Sequence, residues 1–294
     1  LELEMIQKSY YDCGHGKLYL VPTPIGNMGD ITTRAIDVLR EAPYIYAEDT
    51  REAQALLKKF SIFKIVRSCH KFSEERNKSE IIGLLRNGYD VAYMSDRGTP
   101  LISDPGQIIV REAIKYDFNV VALPGPSALL PALNMSGIDN SKFLFYGFLN
   151  SKSVKRIEEL KRIRSIEYTI VFYEAPHRIT KTLSDIKMIF GNRNVAICRE
   201  ISKKFEEVFR GDLVSAIEYS KDIKGEMVIV VEGYDGKTPF KVDYVFEVMK
   251  LVNAGEMLST AIKIVSMTYG ISKNELYNSY LKYSKKQGDK NGKN

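Results

Sequence analysis

Along most of this chain, short apolar runs alternate with segments of helical period. The runs are Leu18–Val21, Ala42–Ala47, Val91–Met94, Val120–Leu123, Phe143–Phe148, Tyr168–Tyr173, Val195–Cys198 and Met227–Val231. They have the length and side-chain character of buried strands, and most stop at glycine, proline or an acid, where chain leaves a sheet. Between them the apolar spacing predicts helices over Ile31–Arg40, Glu52–Phe60, Ser79–Asn87, Gln107–Tyr116, Ser127–Asn134, Val154–Ile163, Pro176–Phe190 and Leu213–Ser220, the first with Asp30 as its N-cap. Strand and helix in alternation predict an α/β protein with mainly parallel sheets.

After Gly233 the register changes. Tyr234–Pro239 reads as a linker, and Val242–Asn253, Met257–Tyr269 and Lys273–Tyr283 read as three helices with a tight turn at Gly270-Ile271-Ser272. Such a module fits a helix-turn-helix, though short helical hairpins are common without any nucleic-acid role. The expected organisation is an N-terminal extension over 1–16, an α/β domain over 17–126, a second over 127–235, a helical module over 240–283 and a basic tail over 284–294. The basic segment 151–164 is expected to separate the two folded halves.

Hydrophobic residues make up 44% and charged residues 27% of 294 positions, ordinary for a soluble globular protein. No stretch approaches the roughly 20 apolar residues that cross a bilayer. Leu1-Glu2-Leu3-Glu4 is acidic and does not read as a secretory signal; Met5 is a candidate start. Cys13, Cys69 and Cys198 are widely spaced, which points to a reducing, cytoplasmic setting. With three scattered histidines, no metal site is expected. The net charge is +6. Residues 151–164 hold six bases against two acids and residues 282–294 five against one, so the rest of the chain is slightly acidic. Two basic blocks on a near-neutral body suit a protein that meets phosphate at defined places; the plainer alternative is a solvated helix face and a solubilising tail.

In open sheets, ligands sit outside the carboxyl ends of the strands, so the loops that follow the runs carry the chemistry. Val21-Pro22-Thr23-Pro24-Ile25-Gly26-Asn27 is stiffened by two prolines and lacks the glycine spacing of a dinucleotide or P-loop motif, which argues against NAD and ATP hydrolysis. Glu48-Asp49-Thr50-Arg51 ends a run with four polar residues. Ser95–Gly106 packs two glycines, two prolines and two aspartates into one loop and suits a rigid ligand cradle. Pro124-Gly125-Pro126-Ser127-Ala128 has small residues that let a flat ring lie against a helix start, and Tyr173-Glu174-Ala175-Pro176-His177-Arg178 is again polar at a strand end. His177 alone is more often structural than catalytic.

Taken in order, these segments resemble the tetrapyrrole methylase superfamily and, within it, the ribosomal RNA small subunit methyltransferase I family. The carrying residues are LYLVPTPIGNMGDITTRA (18–35), AEDTR (47–51), SDRGTPLISDPG (95–106), LPGPSAL (123–129), FYGFL (145–149), FYEAPHR (172–178), RE-x-x-KKFEE (199–207) and GEMVIVVEG (225–233), with AIKIVSMTYGISKNELY (261–277) similar to the family's helical module. One departure is Arg97, where the family usually reads Ser-Asp-Ala-Gly. If that side chain enters the cleft it alters the cofactor pocket or meets RNA phosphate.

The resemblance implies two α/β domains with AdoMet in the cleft between them. It implies a homodimer that methylates the ribose 2′-hydroxyl of a decoding-centre cytidine in 16S rRNA, within the assembled small ribosomal subunit. By motif, the cofactor contacts fall on Pro24, Ile25, Gly26, Gly98, Thr99, Pro100, Ile102, Ser127, Ala128 and Tyr173. A general base would help because a ribose hydroxyl is a weak acid; Glu174 and Asp49 are the first candidates, ahead of Glu200 and His177. Arg51, Lys155, Arg156, Lys161, Arg162, Arg199 and Lys203 are candidate RNA contacts. Two other functions fit the same residues: a methylase of this fold acting on a tetrapyrrole precursor or a modified histidine of an elongation factor, and a non-catalytic AdoMet- or RNA-binding module.

Overall fold

Strands β1 (Leu18–Val21), β2 (Tyr44–Ala47), β3 (Val66–Ser68), β4 (Val91–Met94) and β5 (Val120–Ala122) form one sheet in the order β3-β2-β4-β1-β5, with every pair parallel. In this computed structural model the described residues are 6–9, 14–70, 74–236, 244–253 and 255–291. Cys13, Met5 and parts of the expected extension, linker and basic tail lie outside them.

Alternation along the strands divides the side chains of this sheet between two cores. Val21, Ile45, Ala47, Ala92 and Met94 face α1 (Thr33–Glu41) and α2 (Thr50–Lys59). Leu18, Tyr46, Val91 and Tyr93 face α3 (Glu74–Arg86) and α4 (Gln107–Lys115). Helices on both faces explain why the strands read as continuous apolar runs. Helix α1 begins at Thr33 because Thr32, not Asp30, caps it by accepting from the amide of Ala35. Asp30 instead ends a short 3-10 turn, Met28–Asp30.

The second sheet contains β6 (Phe143–Phe148), β7 (Thr169–Glu174), β8 (Asn194–Arg199), β9 (Glu207–Asp212) and β10 (Met227–Val231) in the order β6-β7-β10-β8-β9. Here the expectation of mainly parallel pairing gives way. Only β6 and β7 are parallel; β10 is antiparallel to β7 and β8, and β9 to β8. A hairpin at residues 200–206 reverses the chain after β8, and β10 returns in the reversed direction between β7 and β8. One face of this sheet packs on α5 (Leu129–Ser136), the other on α6 (Ser153–Ile163), α7 (Ile179–Phe190) and α8 (Leu213–Tyr219). Strands β3 and β9 lie at sheet edges and carry too few apolar residues to show in the sequence pattern.

Both sheets belong to one compact unit, Leu1–Thr238; Pro239–Asn294 form another. In the latter, α9 (Tyr244–Asn253), α10 (Leu258–Tyr269) and α11 (Lys273–Asn291) bury Val248, Ala261, Ile262, Val265 and Leu276 against one another. No described helix is long and apolar enough to cross a membrane.

The basic segment does not separate the halves. Helix α6 is the crossover between β6 and β7, inside the second sheet's layer, because parallel neighbours need such a connection. Its Arg156 is a correction to the expected RNA contacts: the residue is 3% exposed. Its guanidinium donates to Asp185 at 2.8 Å and to the carbonyls of Asn150 and Ser151 at 3.1 and 3.2 Å, so it ties the start of α6 to α7. Removing one partner of such a pair strands the other charge in a buried place. Arg156→Ala is therefore expected to lower the unfolding free energy by about 3 kcal/mol in chemical denaturation, whereas exposed Lys155→Ala on the same helix should change it by less than about 0.5 kcal/mol.

Candidate active site

Residues just beyond the carboxyl ends of β1, β4 and β5 share a gap with the ends of β6, β7 and β8 and the start of β10. The loop after β1 and the loop after β4 are joined by a reciprocal backbone pair, Thr23 to Gly98, with both N–H···O bonds at 2.9 Å. Thr99 Oγ1 donates to the Pro126 carbonyl at 3.0 Å, tying the β4 loop to the β5 loop. Ile25 reaches across and packs on the second sheet's Ala132–Val228 core. Gly26 allows this approach: a Cβ there would sit 2.4 Å from the Lys203 side chain and 3.3 Å from its backbone nitrogen.

These contacts enclose an inner cavity of about 400 Å³, inside the size range of small-molecule sites. Ile25, Gly98, Thr99, Ile102, Ser127, Ala128 and Tyr173 line it, which brings together seven of the ten expected cofactor contacts. Pro24 and Gly26 line a neighbouring open cavity instead, and Pro100 is buried behind the loop and lines neither. Phe148, Ile201 and Val228 complete the apolar wall. Tyr173 bonds Ser127, and burial pushes its hydroxyl pKa up. Cys198 also lines the cavity, but burial pushes its thiol up to about 11, so it is no nucleophile at neutral pH.

Both first candidates for the general base are engaged by their surroundings. Glu174 has a side chain 1% exposed. Its Oε1 accepts from the Ala175 amide and Arg178 Nε, each at 2.8 Å, and its Oε2 accepts from Thr182. That carboxylate closes the start of α7, with three donors on Oε1 and Thr182 on Oε2, at the edge of the inner cavity. Asp49 caps α2, and the guanidinium and amide of Arg51 hold its carboxyl down to about 2, leaving it weakly basic. Glu200 is also spoken for. Burial pushes it up, but Lys203 and the Glu226 amide outweigh burial and its carboxyl ends below the ordinary range.

The expected RNA contacts disperse. Arg51 is 89% exposed and paired with Asp49; Arg199 is paired with Glu207. Lys155, Lys161 and Arg162 lie on α6 and line neither cavity. Lys203 is at the cleft, where its Nζ donates to Glu200 at 2.9 Å and Glu226 at 2.7 Å. Arg97 does enter the cleft. It bonds Glu226 at 3.2 Å and stands 3.7 Å from Glu52 of α2, so it links the two halves at the cavity mouth.

One group went unassigned in the sequence. Asp104 lines the inner cavity and, among the described residues, has no cation or hydrogen-bond donor paired with it. Burial, then the carboxylates of Glu48 and Asp96, push its carboxyl up from 3.8 to about 6. Glu48 is itself raised by burial and Asp96. The other charged groups of the inner wall are answered by ion pairs; Asp104 is not, which suits a cationic ligand. Among the described residues no cluster that could hold a metal ion occurs.

The backbone around the cavity is unusual. Leu101, Ser103, Glu200 and Ser202 have φ of 69°, 70°, 51° and 67°. Left-handed conformations in residues other than glycine are strained and gather at functional sites. These four lie on two turns that flank the cleft, one from each sheet.

The family model described as Tetrapyrrole (Corrin/Porphyrin) Methylases matches residues 17–216. "Ribosomal RNA small subunit methyltransferase I" of Halalkalibacterium halodurans is 41% identical over 90% of this chain and 94% of its own length. The Bacillus subtilis protein of the same name is 39% identical over 90% and 94%. Among solved structures, uroporphyrin-III C-methyl transferase from Thermus thermophilus, complexed with S-adenyl homocysteine, has a TM-score of 0.54 at 18% identity and covers 74% of this chain and 97% of that one.

Asp104 yields a stability prediction. Folding raises its pKa, so the native state holds the proton more tightly and stability falls as pH rises between roughly 4 and 6. Asp104→Asn is expected to stabilise the protein by about 1 kcal/mol at pH 7.5, after discounting for partial solvent exposure. The gain should vanish near pH 4, as followed by denaturant unfolding at the two pH values.

Proposed function

The chain belongs to the tetrapyrrole methylase family, and from that membership and its kinship with the small-subunit rRNA enzymes we propose the reaction it performs. It is an AdoMet-dependent rRNA methyltransferase. In the finer reading, it transfers the methyl group to the ribose 2′-hydroxyl of a decoding-centre cytidine in 16S rRNA, acting on the assembled small ribosomal subunit as a cytoplasmic homodimer.

The observation that carries this reading is the inner cavity with its unanswered acid. AdoMet has a positively charged sulfonium and an ammonium group, and Asp104 is the wall carboxylate with no counter-charge among the described residues. The apolar side of the wall, with Ile25, Ile102, Phe148 and Tyr173, suits a flat nucleoside, and the loops at Gly98–Thr99 and Ser127–Ala128 offer backbone groups to its polar edges. The residues therefore fit the cofactor.

AdoMet supplies an activated methyl, so the protein needs no electrophile of its own. What these residues contribute is placement. The tied loops hold the cavity in one shape, and aligning the ribose oxygen with the methyl contributes up to about 7–11 kcal/mol through proximity. With Glu174, Asp49 and Glu200 engaged in the fold and Asp104 answering the cofactor, alignment rather than a strong side-chain base would carry the rate, and the hydroxyl proton would pass to solvent water.

Two experiments test this. AdoMet binding by calorimetry should be lost in Thr99→Arg, which fills the cavity. In Asp104→Asn the affinity should fall about tenfold or more, the value of one charge-assisted contact. In the wild type, affinity should fall as pH drops through about 6. Incubation of labelled AdoMet with unmodified small subunits, followed by mass mapping of the RNA, should place one methyl on a cytidine ribose. A label on the base, or on a porphyrinoid in preference to small subunits, would overturn the finer reading.

A further inference from the structure

Beside the inner cavity opens a wider one of about 1060 Å³, and the two adjoin at Ile25, Arg97 and Lys203, which line both. The two differ in charge. Four bases, Lys59, Arg97, Lys203 and Lys204, line the outer cavity against Glu52 and Asp96. Arg97 and Lys203 are engaged by Glu226, with Glu52 and Glu200 also close. Lys59 and Lys204 are exposed, and among the described residues neither is paired with a carboxylate. Lys59 arrives on a face of α2 that sets Glu52, Ala55, Leu56 and Lys59 at helical spacing along the cavity. Lys204 stands over the ring of Phe205, which is 64% exposed. The floor between the lysines is apolar, formed by Pro24, Ile25, Met28 and Leu56.

We propose that this outer cavity is the seat of the target nucleotide. It receives one unpaired nucleotide of the RNA, with its base on the Pro24–Met28 and Leu56 floor, its sugar toward the junction with the inner cavity, and its flanking phosphates on Lys59 and Lys204. The inference rests on the rRNA methyltransferase reading and deepens it. A paired nucleotide cannot reach an apolar floor in a recess. Unstacked nucleotides are normally the ones read by stacking and edge contacts, with lysines on the backbone. The arrangement also explains why the cavity has two classes of cation. The engaged pair, Arg97 and Lys203, fixes the shape of the cleft where the two cavities adjoin, and the pair without carboxylate partners carries the phosphate.

The test uses the full chain, unmodified small ribosomal subunits and labelled AdoMet. Lys59→Gln and Lys204→Gln are each expected to raise the KM for subunits about tenfold, and to make the dependence of binding on salt shallower by about 0.7 in log–log slope per lysine. AdoMet affinity measured by calorimetry should stay at the wild-type value in both. Exposed Lys187, in the last turn of α7 and lining neither cavity, controls for charge alone: Lys187→Gln should leave KM unchanged. If wild-type enzyme methylates subunits and both lysine variants keep its KM and salt slope, the nucleotide lies elsewhere and this inference fails. If the wild type transfers no methyl to subunits at all, the rRNA reading fails first.

Discussion

The whole site depends on how closely the loop after β1 can approach the turn after β8. That approach is possible because position 26 has no side chain: the space a Cβ would take is already occupied by Lys203. Once the two segments touch, Ile25 packs against the second sheet's core and Arg97 meets Glu226. The gap between the sheets thereby takes the form of two adjoining recesses. One side becomes a recess walled by Tyr173, Phe148 and Ile102, and the other stays open beside α2. Adjoining recesses of this kind differ in solvation. The enclosed side strengthens electrostatic interactions, and the open side admits a large, hydrated partner.

Strain and charge at the junction point the same way. The left-handed backbone at Leu101, Ser103, Glu200 and Ser202 costs of order 1–3 kcal/mol per residue. Local bonds hold one of the two turns: the Ser202 amide donates to Glu206 and the Lys203 amide to the Glu200 carbonyl, at 2.6 and 2.9 Å. An acid whose pKa is raised by burial and then by neighbouring acids is likewise unfavourable to the fold. Features that oppose stability are kept where a ligand can use them. A rigid turn presents backbone groups to a cofactor without reorganising, and a charge with no internal partner is available to a cationic one.

Much of the fold was legible because strands buried on both faces write continuous apolar runs. The first and last residues of β1, β4, β6 and β10 coincide with the expected runs. The edge strands β3 and β9 were not legible, since each is paired on one side and has little apolar content. The reversal at 200–206 was not legible either, because Glu200 and Ser202 are not residue types that announce a left-handed turn. For the site, the proline- and glycine-shaped loops marked the cofactor recess well. Glu174 and Asp49 misled because a polar residue at a strand end is written the same way whether it serves a substrate or caps the next helix. Thr182 and Arg178, lying one helical turn or two beyond Glu174, decide that case only once α7 is folded.

Charge shows the same limit from another side. The densest basic block in the sequence folds into α6, where Arg156 turns inward to Asp185 and the remaining cations line neither cavity. Lys59 and Lys204 stand in unremarkable surroundings, 145 positions apart in the chain, yet line the same recess. What separates the two sets is not the count of lysines and arginines but whether a carboxylate has already been supplied. Arg97 and Lys203 lie within reach of Glu226, Glu52 and Glu200, so their charge is spent on the shape of the cleft. Recognition of a polyanion falls to cations whose charge the fold leaves unanswered. Those can be identified only after every acid in the neighbourhood has been assigned its partner.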